Sequence, residues 1–281
     1  MTRQKFKGAL WGIIKYVSLV FFSYVALLPV VSCVNTSFKS ETEYLNTNVM
    51  QLPSHWINLD NYVSAFNQAN MGRAFLNSGI ILICVLLGST MIGTQLAYVL
   101  NRFRFPGNRL VRNLFLFAAL LPGIAMQVSV YKIMHDLGFI NHLYGYIILM
   151  MGTDVISIYI YIQFFQNLSV SLDESAILDG CSYFGVFYKI LFPLLKPAIV
   201  TCMILKGVAT YNEYYCSNLY LQDKTTLCTV ATSLYTFVGP LGSQYNYICA
   251  GVIISLLPAL VVFILCQKQI YSGIAMGSVK E

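Results

Sequence analysis

From about Leu10 to Val34 the chain carries a single charged residue, Lys15, and that run is long enough to cross a bilayer. A transmembrane helix needs about 20 predominantly apolar residues. Runs of the same kind recur at roughly Ala74–Leu100, Leu110–Ile133, Leu143–Leu168, Ala198–Leu221 and Tyr245–Tyr271. Their spacing predicts an all-α polytopic membrane protein: six transmembrane helices in a single domain over residues 1–281. Pro122-Gly123 predicts a kink in the third span, and Pro29 and Pro258 lie inside the first and sixth.

Composition supports this class. The chain is 57% hydrophobic and 10% charged, with mean hydropathy +0.67, where soluble domains carry roughly 25% charged residues. No stretch of ~100 residues is left for a separate soluble domain. The N-terminus, MTRQKFKGALWGIIKY, is basic and then apolar like a signal peptide. It lacks a small-x-small cleavage site, so a retained first span is expected. The eight cysteines are scattered, mostly within apolar runs and without a C-x-x-C pair. They read as small buried hydrophobes, and neither a disulfide framework nor a metal site is expected.

The net charge of +6 is distributed as a membrane protein distributes it, and no nucleic-acid partner is implied. With the N-terminus inside, twelve basic residues fall in cytoplasmic segments, among them Arg3, Lys5, Lys7, Arg102, Arg104, Arg109, Arg112, Lys189 and Lys196. Four fall outside: Lys39, Arg73, Lys132 and Lys224. The positive-inside rule therefore places both termini in the cytoplasm. It places the polar segment between the fourth and fifth spans there too.

That segment, Leu172–Pro197, is LDESAILDGCSYFGVFYKILFPLLKP. Ser171 and Glu174 have capping-box spacing, and Asp173 and Glu174 suit the positive end of a helix. Gly180 is placed to stop the helix in a left-handed conformation. Ser182 can cap a second short helix with Phe184, Phe187, Tyr188 and Leu191 along one apolar face. Pro193 and Pro197 close the unit. A helix–Gly–helix elbow between two spans suits a groove on a soluble partner, although an ordinary cytoplasmic loop has the same ingredients.

Glu174-Ser175-Ala176, Asp179-Gly180, Ile190 and Pro193 resemble the E-A-A-x-x-D-G-x(9)-I-x-L-P loop of bacterial ABC importer permeases. Ser175 and Phe192 depart from that pattern. Other segments are similar to the carbohydrate-uptake permeases of the maltose type, second subunit of a heterodimeric pair. Asn101–Gly107 resembles A-R-F-x-F-P-G, and Tyr211-Asn212-Glu213-Tyr214 resembles W-N-[DE]-F. Thr226-Leu227 resembles T-L-P with Cys228 for proline, and Tyr245 stands where the family has tryptophan. Gln267, Gly273, Gly277, Val279 and Lys280 fit the tail Q-x(5)-G-x(3)-G-x-V-K. The resemblance covers about residues 75–281.

The resemblance implies a permease subunit of the bacterial inner membrane for a sugar or oligosaccharide, pairing with a second, homologous permease. It further implies two copies of an ATPase, which hold ATP and magnesium, and an extracytoplasmic sugar-binding protein. This chain then binds no cofactor and is not itself an enzyme. Consistently, the sequence has no Walker A, H-E-x-x-H or G-x-S-x-G pattern, and His55, His135 and His142 fall in loops. The coupling residues implied are Glu174, Ser175, Ala176, Ile177, Leu178, Asp179 and Gly180, within an elbow spanning 171–193. Ala176, Ile177 and Leu178 are the better candidates for a buried interface, and the capping box explains Glu174 equally well.

Candidates for the substrate path are Tyr211, Asn212, Glu213 and Tyr214, aromatic and amide groups of the kind that hold sugars. Aromatic residues are also enriched at membrane interfaces, so Tyr211 and Tyr214 have that plainer explanation. Lys206 and Glu213 are seven residues apart and should share a face of the fifth span. Glu213 near the outer interface has a plainer role too, hydrated or paired across the dimer. Asp154 needs a partner in the fourth span, with Tyr131 one possibility. Ser89, Gly93 and Ala97 form a small-residue stripe that lets another helix approach. Two other readings stay open. One is an importer permease for a polyamine or another polar solute. The other is an ion-coupled secondary transporter, which would call for ionisable relays and an inverted repeat.

Overall fold

The computed structural model describes residues 2–152, 154–239 and 242–278. Val279 and Lys280 of the tail pattern lie outside the described residues. Three helices are long and apolar enough to cross a membrane without a break. These are α1 (Thr2–Ser37), α4 (Met71–Arg102) and α15 (Tyr245–Ser278), with Pro29 inside the first and Pro258 inside the last. Between α1 and α4 lie the short helices α2 (Glu41–Asn46) and α3 (Asp60–Gln68), within the polar segment that joins them.

The remaining apolar passages are broken. α5 (Asn108–Leu120) and α6 (Gly123–Asp136) meet at 106° across Leu121-Pro122, a far sharper turn than the expected kink. Pro122 has no amide hydrogen to donate, so the helix ends before it and a new one starts after. α7 (Leu143–Met150) and α8 (Val155–Asn167) are bent by 47°. Counting each bent pair as one span gives up to six.

The elbow contains α9 (Ser171–Leu178) and then α10 (Tyr183–Gly185), a π-helical turn (Val186–Leu191) and α11 (Phe192–Leu194). α12 (Lys196–Tyr211) follows at 74° to the segment before it. The expected fifth span, Ala198–Leu221, is not one helix. α12 stops at Tyr211, and a separate α13 (Tyr215–Tyr220) follows. The chain then forms α14 (Val230–Ser233) and a pairing of the two-residue strands β1 (Val238–Gly239) and β2 (Gly242–Ser243) before entering α15.

The chain divides into two compact units: residues to Met71 with Leu234–Leu260, and Gly72–Ser233 with the chain from Val261. The first unit holds the polar segment after α1 by polar contacts. Asn61 donates to the backbone oxygens of Ser37 and Lys39, both at 2.8 Å, and Asn246 donates to Asn61 at 3.1 Å. Lys39 is fully buried and donates to Thr47 Oγ1 and Asn48 O at 3.0 and 2.6 Å. Phe38 lies against both Trp56 and Tyr62.

The second unit has its main core where α4, α8, the π turn and α12 meet. Ala97, Phe165, Val186, Leu191, Leu195 and Ala198 are fully buried there. Gly93 belongs to the expected small-residue stripe, and its place is set by close approach. A Cβ there would come within 3.1 Å of the Tyr161 ring. Tyr146, Tyr220 and Val85 anchor a second cluster with Met134 and Leu221.

Candidate functional site

The elbow helix α9 starts one residue earlier in its capping than its sequence suggests. Ser171 lies inside the helix, with Val170 at the cap position and no side-chain cap bond there. The capping box is therefore absent: Ser169 Oγ accepts from the Ser171 amide at 3.3 Å, and Glu174 N bonds Val170 O at 3.2 Å. Glu174 is left facing solvent, free of the capping duty that its spacing offered as an explanation.

Two residues of α9 point into the chain's own core, Asp173 and Ala176, at 7% and 5% exposure. Of the three apolar interface candidates, Ala176 is thus turned inward. Ile177 and Leu178 remain outside at 41% and 88% exposure. Ser175, Asp179 and Gly180 are also exposed. Gly180 has φ of +84° and ends the helix as expected, with Cys181 N returning to Ala176 O at 2.9 Å.

Ser182 caps the next segment as expected, accepting from Gly185 N at 3.2 Å. The apolar face differs from the 3.6-residue pattern. Val186, Phe187 and Leu191 are buried, whereas Phe184 is 76% exposed and Tyr188 also faces outward. The π turn accounts for Tyr188, because wider winding rotates the side chains after Gly185 relative to an α-helix; Phe184 precedes that turn, in α10. Rings fasten this segment to the end of α4. Tyr98 lies 5.3 Å from Phe187 and 5.5 Å from Phe103, which is 5.3 Å from Tyr183. Such contacts each contribute about 0.5–1.5 kcal/mol beyond burial.

A residue pair that spacing did not reveal fixes α9. Arg102, the last residue of α4, places Nε 3.0 Å from Asp173 Oδ2, both side chains nearly buried. Its Nη2 donates to Leu168 O at 3.0 Å. One guanidinium thus holds both the entry to the elbow and its first helix. Burial raises the Asp173 carboxyl above the ordinary carboxylate range, and the Arg102 charge draws it part of the way back. The signal in the sequence was an acidic residue in α9 and a basic residue at the end of a span, seventy-one positions apart with no rule joining them.

The substrate-path candidates lie at the break after α12. Tyr211 ends that helix and packs against the cluster of Ala74, Cys228 and Val230. Asn212 is exposed, and its amide donates to Val208 O at 3.0 Å. Glu213 accepts from Cys216 N at 2.8 Å, Oε1 to amide, which caps α13, and Tyr214 precedes that helix. Lys206 and Glu213 consequently do not share a helical face, because Glu213 is outside the helix. Asp154 is satisfied locally as the N-cap of α8, and Tyr131 instead accepts from Gln222. Among the described residues no group of three or more His, Cys, Asp or Glu could hold a metal ion.

A family model described as "Binding-protein-dependent transport system inner membrane component" matches residues 89–270. The chain is 32% identical to a probable ABC transporter permease protein, YurM, of Bacillus subtilis, over 94% of this chain and 87% of that one. It is 27% identical to the maltodextrin transport system permease protein MalD of Streptococcus pneumoniae, covering 98% of each. A crystal structure of a bacterial ABC transporter involved in import of the acidic polysaccharide alginate contains a similar chain. The TM-score is 0.82 at 21% identity, over 95% of this chain and 98% of that one.

Proposed function

Because this chain belongs to the family of binding-protein-dependent transport system inner membrane components, we propose that it is one permease subunit of an ATP-driven importer for a sugar or oligosaccharide. The observation that carries the cargo class is the end-to-end match to a permease named for maltodextrin. A polyamine or another polar solute has no such support, and neither does an ion-coupled mechanism.

In this reading a second, homologous permease completes the translocation path, and an extracytoplasmic binding protein delivers the sugar. Two copies of a separate ATPase hold ATP and magnesium, and this chain binds neither. Both termini lie in the cytoplasm. The elbow presents Ile177, Leu178 and Phe184 to the ATPase; Leu178 and Phe184 are its most exposed apolar side chains, and Ile177 adjoins Leu178. Closure of the ATPase pair moves α9, and Arg102 passes that movement to α4 through Asp173. The spans then switch as packed bodies between inward- and outward-facing arrangements. Asn212 is the substrate-path candidate most open to solvent, so it is the first residue to test for sugar contact.

The test is purification of the tagged chain from native membranes, followed by ATP hydrolysis with candidate oligosaccharides. Co-purification of a second permease, an ATPase and a sugar-binding protein, with sugar-stimulated hydrolysis, is the expected result. A chain that purifies alone and transports under an ion gradient would overturn the reading.

A further inference from the structure

Within the larger unit, the start of α8 and the middle of α12 border one small cavity. Its volume is about 10 Å³, and Asp154, Lys206, Ser89, Thr90, Ser157 and Tyr161 are among the residues that line it. Asp154 uses one carboxylate oxygen to accept from Ile156 N at 3.1 Å and the other from the Ser157 hydroxyl at 2.8 Å. A carboxylate offers about four acceptor positions, so capacity remains on the cavity side. Lys206 lies half-buried within α12, brings three donors, and forms no direct ion pair among the described residues. Opposite charges thus share a cavity inside apolar spans without touching, although an isolated charge is rare in such a place.

The cavity is far too small for a sugar. Its volume is about what one water requires, and a buried water needs two to four polar partners. We propose that it is an ordered-water site. The water accepts from the Lys206 ammonium and donates to the Asp154 carboxylate, with the hydroxyls of Ser89 and Thr90 within the same lining. The result is a hydrated charge clasp between α12, the helix leading out of the elbow, and the break where α8 begins. Its chemistry does not depend on which solute the transporter carries.

The clasp is tested on the full-length chain extracted from native membranes, by the midpoint of heat-induced aggregation. Asp154→Asn keeps one oxygen to cap Ile156 N, removes the charge, and sets an amide NH2 where the second oxygen accepted from the Ser157 hydroxyl, which can turn to accept instead; Lys206→Met keeps an apolar stem. Each single variant is expected to lower the midpoint by several degrees. The double variant should lie above the lower single one, because neither charge is then left alone. Ser89→Val fills the cavity with methyl groups; it should lower the midpoint in the wild-type background and have no effect in the double variant. Additive single losses would overturn the clasp, and an equal effect of Ser89→Val in both backgrounds, or none in either, would overturn the water. If a single variant accumulates too poorly to melt, its level in membranes is the readout. Recovery in the double variant supports the clasp, and continued loss overturns it.

Discussion

Arg102 Nε stands 3.0 Å from Asp173 Oδ2, so the last residue of a long span grips the first turn of the elbow. Removing one member of a buried pair strands the other. Arg102→Ala is therefore expected to cost about 3 kcal/mol and to loosen Leu168 as well, since the same side chain bonds its carbonyl. Asp173→Asn should cost less, because Arg102 keeps that carbonyl partner. Hydrogen exchange across residues 168–178 would rank the two variants.

A pH dependence follows from the same pair. The folded Asp173 carboxyl titrates above its ordinary value of about 3.9. In that window the folded state binds more protons than the unfolded state, so stability from this group rises as pH falls toward 3.9. Its contribution is least favourable at neutral pH. Asp173→Asn does not titrate, so the wild-type midpoint should gain on this variant's as the pH is lowered from 7 toward 4. A constant difference between the two would contradict the raised value.

Gly180 has φ of +84°, and a Cβ added there meets nothing within 4 Å. The cost of a side chain is thus backbone strain alone, about 1–2 kcal/mol for alanine. Asparagine tolerates this conformation and should be nearly neutral. If ATPase co-purification is lost with alanine and retained with asparagine, the residue serves the turn. Loss with both would assign it a direct contact.

Leu178 is 88% exposed, so Leu178→Asp should change stability by less than about 0.5 kcal/mol. The same change should abolish ATPase co-purification, because it sets a charge in the apolar contact. Retained binding would remove Leu178 from the interface.

In the segment after α13, Asp223 accepts from the amides and hydroxyls of Thr225 and Thr226. The hydroxyl of Thr225 and then that of Thr226 contribute most to holding its carboxyl well below the usual range. Stability from this group is present above about 3.9 and is lost only as pH falls through the lowered folded value. Limited proteolysis of the segment after Leu221 should show the wild-type loop intact at pH 4, and Asp223→Ala cut more readily at any pH.

Hydropathy marked apolar runs along the chain, but it could not show which were continuous helices. Breaks at Pro122, before Asp154 and at Asn212 depend on where a backbone bond is replaced by a proline, a capping Asp154 or a capping Glu213. Gly180 and Ser182 were legible because turn and cap chemistry are local. The capping-box spacing does not hold because spacing alone cannot tell Ser171 at a cap from Ser171 one residue inside the helix. The directions of Ala176 and Phe184 depend on the phase of short helices, which packing sets, and that of Tyr188 on the π turn, which shifts the phase.

By itself the sequence determined the membrane class, the helical content and the family resemblance. These follow from composition, charge and motifs, which need no knowledge of distant contacts. Only the tertiary structure decided that Asp173 belongs to Arg102, that Leu178 rather than Ala176 faces outward, and that Asp154 and Lys206 share one cavity. Each depends on how separate helices pack, and packing joins residues whose spacing along the chain follows no period.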